Sequence, residues 1–269
     1  MKTRYEIKEI SKAEALEMIQ KYHYSNTLAK LNKHFLGFFV GGVLVGCITL
    51  GWGTRPRHTI QKLFPSLNTF DYLEIGRMAM TDDMPRNSES QMISQMFAWV
   101  KSNLPEIKVI LTWADGMQGK CGYVYQASNF IYTGKVAGEM YIKDGIKIHV
   151  RQMKSLLIPK GVKDERITVR PTLEEMKRLN IRHYKGNQYQ YIYFLCDKRE
   201  KKRLLSECLA DLNLERPKDN DLSWKVKDIE SGQWIPCGKP PYKTDFNKEN
   251  KDDVFDSMEQ MTIFDFIEE

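Results

Sequence analysis

His34-Phe35-Leu36-Gly37-Phe38-Phe39-Val40, then Gly41-Gly42, then Val43-Leu44-Val45-Gly46-Cys47-Ile48-Thr49-Leu50 is the stretch that decides the fold class. Two runs rich in β-branched and aromatic residues flank a Gly-Gly pair, which reads as two antiparallel strands joined by a tight turn. Outward from this hairpin, residues 3–10 alternate as an opening strand. Ser11-Lys12-Ala13-Glu14 has the spacing of a capping box, so a helix starts there, buries Leu16 and Ile19 and runs to about Tyr22.

On the other side, residues 54–70 are rich in Pro, Arg and Thr and read as a loop, followed by a strand over Asp71 to Met80. Thr81 to Asn87 is a turn. Ser88-Glu89-Ser90-Gln91 reads as a second capping box opening a helix whose Met92, Ile93, Met96, Phe97 and Val100 share a stripe, with a stop near Leu104-Pro105. A strand at Lys108–Ala114, a short helix around Gly122–Phe130 and further strands through Ile148 and Val150 complete the pattern. Alternating strands and helices predict an α/β fold with a mixed central sheet flanked by helices.

The expected organisation is a catalytic core over 1–150 and an α/β extension over 151–213. The latter has a helix capped at Thr172, a strand over Tyr189–Leu195 and an amphipathic stretch after the charged run Asp197–Arg203. A polar linker over 214–259, expected to be disordered, and a linear motif at 260–266 follow.

Bulk composition narrows the function. No apolar run approaches the roughly 18 residues that span a bilayer, and Met1 to Glu6 lacks a signal-peptide core. Five scattered cysteines, never in a CxxC pair, point to a reducing compartment and hence the cytoplasm. The net charge of +6 hides an asymmetry: Thr244 to the end holds nine acidic residues and two lysines, and the rest carries 39 basic against 26 acidic residues. So basic a body suits a polyanion such as double-stranded DNA, although solubility alone is an equally simple reading.

Several residues stand where chemistry is commonly placed. Asn87, Ser88 and Ser90 sit at a helix start, where free N–H groups and the helix dipole accept phosphate; an ordinary N-cap by Ser88 is the plainer reading. Arg77, between Ile75-Gly76 and Met78-Ala79, needs a partner if it is buried in a strand. Asp115 ends a strand and is either a site carboxylate or a cap of the next turn. Cys121, Tyr125 and Ser128 share a helix face; Tyr125 can donate a proton or simply be a core tyrosine. His23 and Ser25 close the first helix, as base and hydroxyl or as an accommodation of the helix dipole. The other histidines show no metal-ligand spacing, and no HExxH, GxSxG or P-loop is present.

Residues 120–134 resemble the closing helix and strand of GNAT acetyltransferases, whose tyrosine often acts as acid on the coenzyme A thiolate. The superfamily's R/Q-x-x-G-x-G/A loop is absent here. A closer resemblance is to the phage Mom-type DNA modification proteins, a divergent GNAT-like family. It rests on His23-Tyr24-Ser25, Arg77, Asn87-Ser88-Glu89-Ser90, Ala114-Asp115 and Gly122-Tyr123-Val124-Tyr125-Gln126-Ala127, in order over roughly residues 20–150.

That resemblance implies conversion of adenine in DNA to a carbamoylmethyl-type base that shields phage DNA from restriction. Acetyl-CoA is the implied donor, and iron is implicated. Arg77, Asn87, Ser88 and Ser90 would grip the donor or a DNA phosphate, Asp115 and Tyr125 would handle protons, and His23 and Ser25 would complete the pocket. Adenine must be flipped out of the duplex, so Trp52 and Trp113 are candidates for the entrance, or core residues. Arg55, Arg57, Lys198 and Arg199 are expected phosphate contacts.

Gln260-Met261-Thr262-Ile263-Phe264-Asp265-Phe266 resembles a sliding-clamp binding peptide, with Gln260, Ile263, Phe264 and Phe266 as its anchors. Two other readings stay open: a conventional GNAT enzyme acetylating a protein or small-molecule amine, and a non-catalytic, clamp-recruited DNA-binding anti-restriction protein.

Overall fold

The computed structural model describes residues 5–25, 28–148, 153–158 and 169–241. Its elements begin β1 (Tyr5–Glu9), α1 (Lys12–Tyr22), β2 (Asn32–Val40), β3 (Val43–Gly51), α2 (Pro56–Gln61) and β4 (Tyr72–Met80). Next come α3 (Ser88–Asn103), β5 (Val109–Asp115), α4 (Tyr123–Ala127), β6 (Ile131–Lys143), β7 (Ile146–Ile148) and α5 (Met153–Leu157). The last are α6 (Leu173–Arg178), β8 (Ile181–Phe194), α7 (Lys198–Glu207), β9 (Trp224–Lys227) and β10 (Trp234–Cys237).

One mixed sheet runs β1-β2-β3-β4-β5-β8-β6-β7, with β9 pairing β8 and β10 pairing β9. The predicted hairpin is β2–β3, its turn made by Gly41 and Gly42 at φ of 56° and 82°. The α1 capping box forms as expected, with Ala15, Met18 and Ile19 buried and Leu16 only half-buried. Helix α3 lays Met92, Ile93, Met96, Phe97 and Val100 on one face of the sheet, where α4 and the Phe130, Tyr125 and Tyr191 rings join them. The opposite face is covered by Ile60, Leu63, Phe64 and Leu67 from α2 and the segment after it, by Leu204 of α7, and by Met18 and Ile19 of α1.

Several expectations change. The segment expected as a loop contains α2, with Pro56 at its start and Ile60 buried, because the Ile60, Leu63, Phe64, Leu67 spacing finds a sheet face to cover. The capping box at Ser88 does not form: Asn87 is the N-cap, in the left-handed region at φ 71°, and caps without its side chain. Cys121 precedes α4 rather than sharing its face, and its thiol donates to Asp219. The boundary at 150 does not divide the sheet, since β8 lies between β5 and β6. Residues 214–241, expected as disordered linker, include β9 and β10 and pack on the body. The remaining linker and the 260–266 motif lie outside the described residues.

Two irregularities position the site. Leu50 pairs with Ile75 and Thr49 with Arg77, so Gly76 is an extra residue, a β-bulge in β4. Leu73, Ile75, Met78 and Met80 face α3, while Tyr72 and Ala79 face the other side. The bulge therefore puts Glu74 and Arg77, three residues apart, on the same face. The second is a splay: β4 and β5 pair in parallel only from Tyr72↔Val109 to Glu74↔Leu111. Beyond that the two strands part, each held by its outer neighbour up to Met80 and Asp115.

Candidate active site

The splay leaves a wedge between the carboxyl ends of β4 and β5, the part of an open α/β sheet where ligands bind. Arg77 enters it from β4. Its Nη2 donates to Ser25 Oγ at 3.1 Å and its Nη1 to the Gly76 carbonyl at 2.7 Å, while its buried Nε has no hydrogen-bond partner. Among the described residues Arg77 forms no ion pair. A partly buried guanidinium without a carboxylate is costly, and an anionic ligand offsets that cost.

Asp115 enters from β5. One carboxylate oxygen accepts from the Met117 N–H at 3.1 Å, so the turn-capping reading holds alongside the site reading. Burial pushes its pKa up, and Lys147, Arg77 and Lys120 pull it back. Burial pushes the Lys120 and Lys147 ammonium groups down, with Asp115 opposing in both. Three cations thus act on the Asp115 carboxylate.

The segment after α1 closes the wedge. The Nδ1 of His23 sits 2.9 Å from both the backbone nitrogen and the carbonyl oxygen of Ser25. Burial, then the Arg77 charge, lower the His23 pKa to about 4, so the imidazole is neutral at pH 7. The Tyr24 ring stacks on His23 at 4.2 Å, and Lys120 Nζ lies 4.8 Å above Tyr24. His23-Tyr24-Ser25 therefore bridges Arg77 on one side of the wedge to Lys120 on the other.

Tyr125 lies on the α3 side of the sheet, close enough for its hydroxyl to feel the Arg77 charge. It is buried against Phe130 and Tyr191; burial raises its hydroxyl pKa, and Thr112 and Arg77 counter this. The residues around it frame it. Gly122, at φ 97°, stands against the Tyr191 ring, where a Cβ would lie 2.6 Å from a ring carbon. Gln126 donates to the Tyr191 hydroxyl at 3.0 Å and to the Pro217 carbonyl at 2.9 Å. Gly122 and Gln126 of the Gly-x-x-Tyr-Gln-Ala stretch are thus scaffolding for Tyr125. Ser128 is also structural, its hydroxyl donating to the Val124 carbonyl.

The amino end of the 16-residue helix α3 follows the same edge of the sheet, and Glu89 in its first turn acts on the Lys120 charge. Ser88 is buried with its hydroxyl donating to the Pro85 carbonyl at 2.7 Å, which leaves the first-turn backbone, exposed Asn87 and half-buried Ser90 for a ligand. The structure thus brings His23, Ser25, Arg77 and Asp115 near one another, with Tyr125 on the α3 side within reach of the Arg77 charge. Arg55, Arg57, Lys198 and Arg199 lie apart, exposed on α2 and α7. Trp52 is half-buried against the core, its indole N–H donating to the Thr69 and Tyr72 carbonyls; half-buried Trp113 donates to Glu74.

Sequence reading missed Glu74, Lys120 and Lys147, and gave Tyr24, quoted within His23-Tyr24-Ser25, no role of its own. Burial raises Glu74 to about 7, against the lowering effects of Trp113, Arg77 and the Gly53 N–H. Nothing in an alternating strand signals a bulge, so the pairing of Glu74 with Arg77 on one face was not legible. Lys120, next to the Gly-x-x-Tyr stretch, carried the only local hint.

A model of the Mom protein family matches residues 4–210. The methylcarbamoylase mom of Escherichia phage Mu is 35% identical over 192 residues, covering 71% of this chain and 75% of that protein. Among solved structures, an N-acetyltransferase from Staphylococcus aureus Mu50 aligns over 72% of this chain and 100% of that one, at 12% identity and a TM-score of 0.39. A Bacillus subtilis acetyltransferase in complex with CoA aligns over the same shares at 13% identity and a TM-score of 0.38. Scores this low give the structural likeness no weight for the site.

Proposed function

The chain belongs to the Mom protein family, and from that membership we propose that it is a transferase that modifies adenine in phage DNA, adding a carbamoylmethyl-type group that protects against host restriction. The name of the phage Mu relative, a methylcarbamoylase, supports the kind of group transferred. The observation that carries the reading to these residues is the wedge, where Arg77, Lys120 and Lys147 face Asp115 beside a buried tyrosine hydroxyl.

In this reading Asp115, its pKa raised by burial, takes a proton from the adenine amine, and Tyr125 donates one to the departing group. Arg77, Lys120, Ser90 and the first-turn N–H groups of α3 hold an anionic donor. His23 and Ser25 wall the pocket, with Arg77 fixing the Ser25 hydroxyl. Tyr24, stacked on His23, supplies the aromatic surface a flipped base needs.

The resemblance brings acetyl-CoA as donor, and a cation-rich wedge beside a long helix's N-terminus suits its pyrophosphate. Bound there, it would supply an acyl carbon and a thiol leaving group, which on their own yield an acetylated amine; the amide nitrogen and methylene linkage of a carbamoylmethyl group call for a further nitrogen donor and additional chemistry. The resemblance also implicates iron; among the described residues no group of three His, Cys, Asp or Glu side chains is placed to hold a metal ion. Arg55, Arg57, Lys198 and Arg199 remain candidate DNA contacts, and Gln260, Ile263, Phe264 and Phe266 a candidate tether to the replication clamp in the bacterial cytoplasm.

The test is mass spectrometry of nucleosides from the DNA of bacteria expressing the protein. A heavier deoxyadenosine that disappears in Asp115→Ala supports the reading. Unchanged nucleosides from expressed, folded protein would sink it in favour of an acyltransferase acting on another amine.

A further inference from the structure

Family resemblance ends near residue 210, and the chain then builds the hairpin β9–β10. One face of that hairpin is fully explained by folding. Trp224, Val226 and Cys237 pack on Met117, Met140, Ile142 and Tyr184, and the Trp224 indole donates to the Gly116 carbonyl at 3.0 Å. Gly116 follows Asp115, so this face fastens the hairpin to the turn that carries the site carboxylate.

The other face works against folding. Lys185 of β8 stands directly opposite Lys225 of β9, and Lys227 follows two residues on, on the same face. Like charges directly opposite across a strand pair, about 5 Å apart, are destabilising. No ion pair among the described residues relieves them. The nearest acids are committed elsewhere: Asp228 to Ser231, Glu230 to Lys177, and Glu139 to Arg170 and His183.

Trp234 of β10, paired with Lys227, lies between the ammonium groups, with Lys185 Nζ 4.1 Å and Lys227 Nζ 5.9 Å from its ring centroid. Its edge meets His183, which burial holds neutral. Just past β10, Lys239 comes beside Gly119 and acts on Lys120 at the wedge. Lys185, Lys225 and Lys227 thus lie on the hairpin face turned away from the Asp115 turn, while Lys239 brings a further charge from the hairpin to the rim of the site.

We propose that Lys185, Lys225 and Lys227, ordered around Trp234, are a docking strip for the phosphate backbone of duplex DNA, holding the duplex on the hairpin that adjoins the site. The strip rests on the proposed function, since a DNA substrate carries the regular row of phosphates that a row of ordered cations fits. It is separate from Arg55, Arg57, Lys198 and Arg199 on α2 and α7.

The experiment is fluorescence anisotropy with a short DNA duplex across a salt series, using the full chain and its Lys185→Gln/Lys225→Gln/Lys227→Gln variant. If three phosphate contacts are lost, the slope of log affinity against log salt becomes shallower by about 2 to 3, and binding at low salt weakens at least about tenfold. The variant's melting temperature moves by only a few degrees, because the repulsion removed and the lost contacts of Lys185 and Lys227 with the Trp234 ring offset each other. An unchanged slope and affinity in the folded variant overturns the strip. Nucleoside mass spectrometry on the same proteins separates the two ideas. Unmodified DNA with a slope that depends on the strip refutes the reaction and keeps the strip; modified DNA with an unaltered slope refutes the strip alone.

Discussion

Replacing Gly122 with alanine tests whether this residue is there to frame Tyr125. Two costs follow from the geometry. At φ 97° an alanine is strained, by about 1–2 kcal/mol. Its methyl would also meet the Tyr191 ring at 2.6 to 3.0 Å, so the ring must move. Tyr191 is fully buried and its hydroxyl bonds to the Cys121 carbonyl and Gln126, so moving it adds about 2 kcal/mol of overpacking and about 1 kcal/mol for a disturbed hydrogen bond.

Gly145, at φ 80° with nothing within 4 Å of an added Cβ, is the control that carries backbone strain alone. At about 2–4 °C per kcal/mol, Gly145→Ala should lower the melting temperature by a few degrees, and Gly122→Ala by about 10 °C. Calorimetry or thermal circular dichroism at pH 7 reads both. If Gly122→Ala melts within a couple of degrees of Gly145→Ala, the close approach to Tyr191 is not what demands glycine there, and the framing argument fails.

Tyr125→Phe should cut the yield of modified adenine by at least about a hundredfold while shifting the melt by little, because it removes one hydroxyl and no packing surface. Arg77→Met should abolish the modification and lower the melting temperature by a few degrees, since it removes the Nη bonds to Ser25 and Gly76 and the charge that steadies the Asp115 and Glu74 carboxylates; an unchanged melt would contradict that. His23 and His183 should both titrate near 4 in a proton NMR titration rather than near the usual 6.5. The unfolded chain then binds more protons between those limits, so stability is full above about pH 6.5 and falls as pH drops towards 4, which urea midpoints at pH 7 and pH 5 will show.

The structure assembles a site that the sequence could show only in fragments. Ala114-Asp115 was readable as a carboxylate at a strand end, and His23-Tyr24-Ser25 as polar residues closing a helix. Nothing local showed that Arg77 donates to Ser25 52 residues away, or that Tyr24 lies under Lys120. The bulge at Gly76 escaped notice because a strand's side-chain period is counted from its own residues, whereas a bulge is defined by what the partner strand opposes.

What the sequence alone determined was set by short-range physics. Propensity and the Gly41-Gly42 pair defined β2–β3, Ser11 and Glu14 capped α1, and helical periodicity named the buried face of α3 residue by residue. Tertiary structure decided the rest. It placed β8 between β5 and β6, gave α2 a surface to cover, and brought 214–241 back onto the body through Trp224 and Pro217. Those outcomes depend on which distant surface is left uncovered once the first elements pack, and on where two strands part, and neither is written in the residues nearby.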